Sequence, residues 1–122
     1  MTVPAPLAGI NVLVVEDDYY LASDEKTALE GAGARVIGPC GDAAEAAGLA
    51  AAQRIDCAVI DVNLGEGPTF TLAHTLQQRG VPFVFVTGYD QALIPPELGP
   101  AQRLEKPIRD RDLIAAVARA CR

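Results

Sequence analysis

Four short segments of this 122-residue chain each run into a side chain able to do chemistry. Ile10–Val15 stops at Glu16-Asp17-Asp18, Cys57–Ile60 at Asp61, Pro82–Val86 at Thr87, and Arg103–Glu105 at Lys106. Carboxylates brought together repel, and a cation among them relieves that repulsion. Oxygen donors with open positions left for water suit Mg²⁺. A lysine ammonium and a threonine hydroxyl opposite the acids are the groups that neutralise and hydrogen-bond a phosphoryl oxygen. A carboxylate can itself accept the phosphoryl group. Asp61 is the candidate acceptor, because it ends the most buried segment. Asp17 is the candidate direct metal ligand, Glu16 acts directly or through water, and the Asn63 backbone carbonyl offers a further oxygen. Asp18 is expected to point away, since successive residues at a strand end alternate in direction, and to cap the following helix. Gly88 leaves room beside Thr87 for an incoming donor.

These residues lie far apart in sequence, so a fold must gather them. The apolar runs are short, β-branched and continuous, as in parallel strands covered on both faces. Between them lie helical patterns. One runs from Asp18 to about Gly31, with Leu21, Ala28, Leu29 and Ala32 on one face. A second, capped by Asp42, is Ala-rich and extends to about Gln53. A third covers about Thr69 to Arg79, after a Gly65–Pro68 loop, and a last helix opened by Asp110 places Leu113, Ile114, Val117 and Ala118 together. Arg35–Gly38 reads as a second strand broken by Gly38-Pro39. Tyr89–Pro100 carries three prolines, so a fourth helix there must be short or irregular. Strands alternating with helices predict an α/β, flavodoxin-like (βα)5 fold. This is a doubly wound five-stranded parallel sheet in the order 2-1-3-4-5, which binds ligands beyond the carboxyl ends of its strands. Residues 1–8, with two prolines, read as a disordered N-terminal lead-in to one domain over 9–122.

Composition narrows the function classes. Half the chain is apolar and only 5% aromatic, which suits a Val/Leu/Ile core. Sixteen acids against ten bases give a net charge of −6, which disfavours nucleic acid as a partner. No run approaches a membrane span and the first residues lack a secretory pattern, so a cytoplasmic location is expected. Cys40, Cys57 and Cys121 form no CxxC, so neither a disulfide framework nor a zinc site is expected. His74, the only histidine, reads as a surface or packing residue, and Phe83 and Phe85 as core.

The segments VLVVEDD (12–18), VIDVNLGEG (59–67), PFVFVTGY (82–89) and LEKPI (104–108), in that order and spacing, resemble the receiver domains of two-component response regulators. PFVFVTGY further resembles the PFxFATGY signature of a stand-alone (FATGUY-type) receiver class, with Val86 in place of Ala. The resemblance implies that Asp61 takes a phosphoryl group from a phosphohistidine of a sensor histidine kinase or histidine phosphotransfer protein. It implies Mg²⁺ held by Glu16, Asp17, Asp61 and the Asn63 carbonyl, phosphoryl contacts from Thr87 and Lys106, and a cis bond before Pro107. Such a domain catalyses its own phosphorylation and dephosphorylation without a separate substrate. It signals to a downstream protein partner as a relay, phosphate sink or kinase modulator, as a monomer or weak homodimer. One departure stands out: the family's switch aromatic, three residues before the strand-5 lysine, is Arg103 here. Tyr89 is the candidate substitute beside Thr87. Other readings are an aspartyl-nucleophile phosphatase, a nucleotide- or flavin-binding module, and a receiver-like interaction module that is never phosphorylated. Asn63 cannot serve as the general acid that the phosphatase needs two residues after its nucleophile. Glu16–Asp18 would repel phosphate from a nucleotide loop, and the complete acid, Thr and Lys set argues against the unphosphorylated module.

Overall fold

A computed structural model of the chain describes residues 5–62, 70–88, 94–98 and 102–121. The elements alternate: β1 (Asn11–Val15), α1 (Tyr19–Gly31), β2 (Arg35–Cys40), α2 (Ala43–Ala52), β3 (Cys57–Asp61), α3 (Thr71–Gln78), β4 (Phe83–Thr87), a 3-10 turn (Pro96–Leu98), β5 (Gln102–Glu105) and α4 (Asp110–Ala120). All five strands are parallel in the order β2-β1-β3-β4-β5, the flavodoxin-like arrangement expected from the sequence. The fourth connection contributes only the 3-10 turn among the described residues.

Strand periodicity sorts the core into two layers. Leu13, Val15, Ala58, Ile60, Phe83 and Phe85 face α2 and α3, where they meet Ala46, Leu72 and Leu76. Val12, Val14, Cys57, Val59, Val84 and Val86 face α1 and α4, where they meet Ala28, Leu29, Leu113 and Val117. The central strands β3 and β4 are buried along their whole length, which fixes where their last residues emerge. Phe83 and Phe85 are core, as expected, with ring centroids 5.2 Å apart.

Two sequence expectations change. β2 is not broken at Gly38-Pro39 but runs on to Cys40, through a register shift opposite Leu13–Val15 and a cis Gly38–Pro39 bond. β2 is an edge strand, and there a proline costs no ladder bond on its open side. Gly38 is required, because its φ is +91° and an added Cβ would stand 2.9 Å from the Cys40 nitrogen. The lead-in, expected to be disordered throughout, joins the fold from residue 5. Leu7 is fully buried against the α1/α4 layer, and its N–H bonds the Ala32 carbonyl at 2.8 Å. Gly33 (φ +101°) lets the two segments close, since a Cβ there would lie 2.7 Å from that of Ala5. In the proline-rich stretch, Ile94 and Leu98 are likewise buried, in the α2/α3 layer.

Candidate functional site

The carboxyl ends of the strands meet at one rim. β1 ends at Val15, and Glu16 follows with its N–H on the Cys40 carbonyl at 2.9 Å. Asp61 and Thr87 are the last residues of β3 and β4. Lys106 comes directly after β5, its N–H bonding the Thr87 carbonyl at 2.8 Å, and its bond to Pro107 is cis. Backbone ladders therefore bring Glu16, Asp61, Thr87 and Lys106 together independently of their side-chain chemistry.

Glu16, Asp61 and Thr87 are buried, while Asp17 is exposed. Glu16, Asp17 and Asp61 each turn one carboxylate oxygen into a cluster whose members lie within 4.8 Å of one another. Lys106 Nζ stands 3.3 Å from Asp61 Oδ2 and 3.4 Å from Glu16 Oε1. Burial works against the lysine charge, but the charges of Asp61 and Glu16 outweigh it and raise the Lys106 pKa. Burial pushes the Glu16 carboxyl up, and a hydrogen bond shared with Asp61 pushes it further. The Asp18 backbone N–H, 3.1 Å from Glu16 Oε2, and Lys106 pull the other way. One ammonium thus holds two buried acids, a third waits at the surface, and the set is rich in negative charge. The Thr87 hydroxyl is buried with no hydrogen-bond partner among the described residues. A buried polar group left unmatched costs stability. Beside it, the space where a Cβ of Gly88 would stand is open.

The oxygen-only donor set and the unmatched Thr87 hydroxyl fit a hard divalent cation together with an anion. Asp18 is turned away: its Oδ1 accepts from the N–H groups of Tyr20 and Leu21 and caps α1. Arg103 is exposed on β5, and His74 stands beside Glu97, Nε2 to Oε1 3.5 Å. Asn63 and Tyr89, expected as a ligand and a switch, lie outside the described residues. The sequence reading passed over Glu25. This residue of α1 is buried, neither carboxylate oxygen has a hydrogen-bond partner among the described residues, and the charges of Lys106 and Asp61 reach it. A signal existed, because Glu25 sits midway between Leu21 and Leu29 on the apolar face of α1.

The family model of the response regulator receiver domain matches residues 12–118. The chain belongs to the response regulator receiver domain family. It is similar to the phyllosphere-induced regulator PhyR of Methylorubrum extorquens, 28% identical over 113 residues, which are 89% of this chain and 42% of that protein. The chain thus spans less than half the length of that curated relative. Among solved structures it is similar to SdrG from Sphingomonas melonis Fr1, at 29% identity and TM-score 0.79, with 99% of this chain and 98% of that one covered. The non-phosphorylated HemR receiver domain from Leptospira biflexa is 30% identical with TM-score 0.76, covering 92% of this chain and 94% of that one. No helix among the described residues is long and apolar enough to cross a membrane.

Proposed function

We propose that this receiver domain is a phosphoacceptor whose Asp61 takes a phosphoryl group from a phosphohistidine of a sensor kinase or phosphotransfer protein. The observation that carries the reading is the company Asp61 keeps. It is 2% exposed, 3.3 Å from the Lys106 ammonium, and clustered with Glu16 and Asp17 beside an unmatched Thr87 hydroxyl. An Asp61 oxygen attacks phosphorus in line with the departing histidine nitrogen, and that nitrogen takes the bonding electrons. Lys106 exchanges its contact with Asp61 for a phosphoryl oxygen, and the Thr87 hydroxyl donates to another. Glu16, Asp17, Asp61 and the Asn63 carbonyl would hold Mg²⁺, which neutralises charge between the carboxylates and the phosphoryl oxygens.

The phosphoryl group adds charge and acceptor oxygens beside Thr87, and so biases the stretch after β4, Tyr89 included, toward one conformation. That shift alters contacts with a downstream protein, in a cytoplasmic relay, sink or kinase-modulating role. The test is incubation with acetyl phosphate and Mg²⁺, followed by intact-mass spectrometry. One phosphoryl group is expected on the wild-type chain and none on Asp61→Asn. Labelling that survives in Asp61→Asn overturns the assignment. A wild-type chain that accepts nothing from acetyl phosphate or from phosphorylated kinases favours the purely interacting module.

A further inference from the structure

At the end of the sheet opposite the acid site, two of the three cysteines meet. Cys57 opens β3 inside the α1/α4 layer, and Cys121 follows α4. Both pack in the α1/α4 layer, where Cys121 Sγ lies 3.6 Å from the carbonyl of Asp56, the residue before Cys57, and Cys57 Sγ lies 3.8 Å from the Ala58 carbonyl. Cys57 is fully buried, whereas Cys121 is partly exposed and lines a groove of about 380 Å³ with Gly9, Ile10, Arg54 and Pro82. The neighbouring Cys57 thiol lowers the Cys121 pKa against the effect of burial, while Cys121, reinforced by burial, raises the pKa of Cys57. The accessible thiol is thus the more readily ionised, and the thiolate is the reacting form. Its neighbour, the buried Cys57 thiol, is held protonated.

We propose that Cys57 and Cys121 are a peroxide-reactive pair that closes reversibly into a disulfide tying the start of β3 to the end of α4. The Cys121 thiolate attacks one oxygen of hydrogen peroxide. An S–O bond forms, the O–O bond breaks, and the leaving hydroxide takes a proton to become water. Cys121 sulfur has then lost two electrons to the peroxide and is a sulfenic acid. Cys57 sulfur attacks Cys121 sulfur, the S–O bond breaks, and hydroxide leaves as a second water with the Cys57 proton. Two thiols and one hydrogen peroxide become one disulfide and two waters. Cys40, on β2, is the internal control. It is buried with its Sγ against the Val14 carbonyl, and its thiol is pushed up to about 11 by burial.

The full chain is treated with hydrogen peroxide, alkylated without denaturant, digested and mapped by mass spectrometry. The Cys57 and Cys121 peptides are expected joined with two hydrogens lost, separable by dithiothreitol, and Cys40 reduced. The joined form is expected to melt several degrees higher, because the bridge closes a long loop. In Cys57→Ser, Cys121 is expected to accumulate as a sulfenic acid captured by dimedone. In Cys121→Ser, Cys57 is expected to stay reduced at the same dose. Melting curves verify that both variants fold, and acetyl phosphate labelling at Asp61 is expected unchanged in both. The proposal is overturned if wild-type Cys121 stops at the sulfenic acid without joining Cys57, if the bridge contains Cys40, or if all three thiols survive.

Discussion

Asp17 differs from its neighbours in the acid cluster by being exposed. Glu16 and Asp61 are buried and already share Lys106, so their charges are partly compensated before any cation arrives. Asp17 has no such compensation from Lys106 and is open to solvent, so it can give up hydration for a metal at the least structural cost. Replacing it should therefore affect cation binding more than folding. Asp17→Asn is expected to weaken Mg²⁺ binding at least about tenfold, or roughly 1.4 kcal/mol, with metal-free stability nearly unchanged. The measurement is a Mg²⁺ titration by calorimetry, paired with melting curves. The wild type should melt higher with saturating Mg²⁺, since a ligand that binds only the folded state stabilises it by mass action. Equal Mg²⁺ affinity in the two proteins contradicts the ligand assignment.

Helix α1 carries the electrostatic cost of the site. Its apolar face holds Ala22, Ala28 and Leu29, yet Glu25 is buried among them without a hydrogen-bond partner among the described residues. Burial raises its pKa from 4.5 to about 7; Lys106 opposes the rise, while the charges of Asp61 and Asp24 add to it. A carboxyl with a raised folded pKa is at its most favourable below 4.5, and stability is lost as pH climbs through about 7. At about 1.4 kcal/mol per pH unit, that gap costs at most on the order of 3 kcal/mol by pH 8. Glu25→Leu is expected to stabilise the domain, more at pH 8 than at pH 5. Denaturant unfolding at both values checks it, and a gain independent of pH removes the role assigned to burial.

The same scale shows what was legible in the sequence. β1, β3 and β4 are buried on both faces and so read as continuous apolar runs, whose last residues named Asp61 and Thr87 directly. α1 and α2 announced their starts through the capping side chains of Asp18 and Asp42. β2 beyond Gly38 was illegible, because a glycine and a proline signal a break, and only the strand's place at the sheet edge makes them tolerable. Glu25 was half legible: a single charged residue between Leu21 and Leu29 marks a position on the apolar stripe, but the pattern does not tell that its carboxylate is left without a hydrogen-bond partner among the described residues.

At the scale of the whole molecule, the sheet separates two cores, and each is completed by a segment outside the strands and α-helices. Ile94 and Leu98 seal the α2/α3 layer, and Leu7 seals the α1/α4 layer between α1 and β1. Leu7 gave no sequence signal, because an isolated leucine after Pro4 and Pro6 has no periodicity to join. Its backbone nevertheless bonds to Ala32, and its side chain is inaccessible to solvent. A buried leucine cut back to alanine loses its transfer free energy and leaves a cavity, together about 2–5 kcal/mol. Leu7→Ala is expected to lower unfolding free energy within that range. The acid cluster should be unaffected, because Leu7 packs near the amino ends of the strands and the cluster sits beyond their carboxyl ends. Urea unfolding measures the first expectation and Mg²⁺ titration of the folded variant the second. A loss below about 0.5 kcal/mol, the size of an ordinary surface change, would return the lead-in to the solvent.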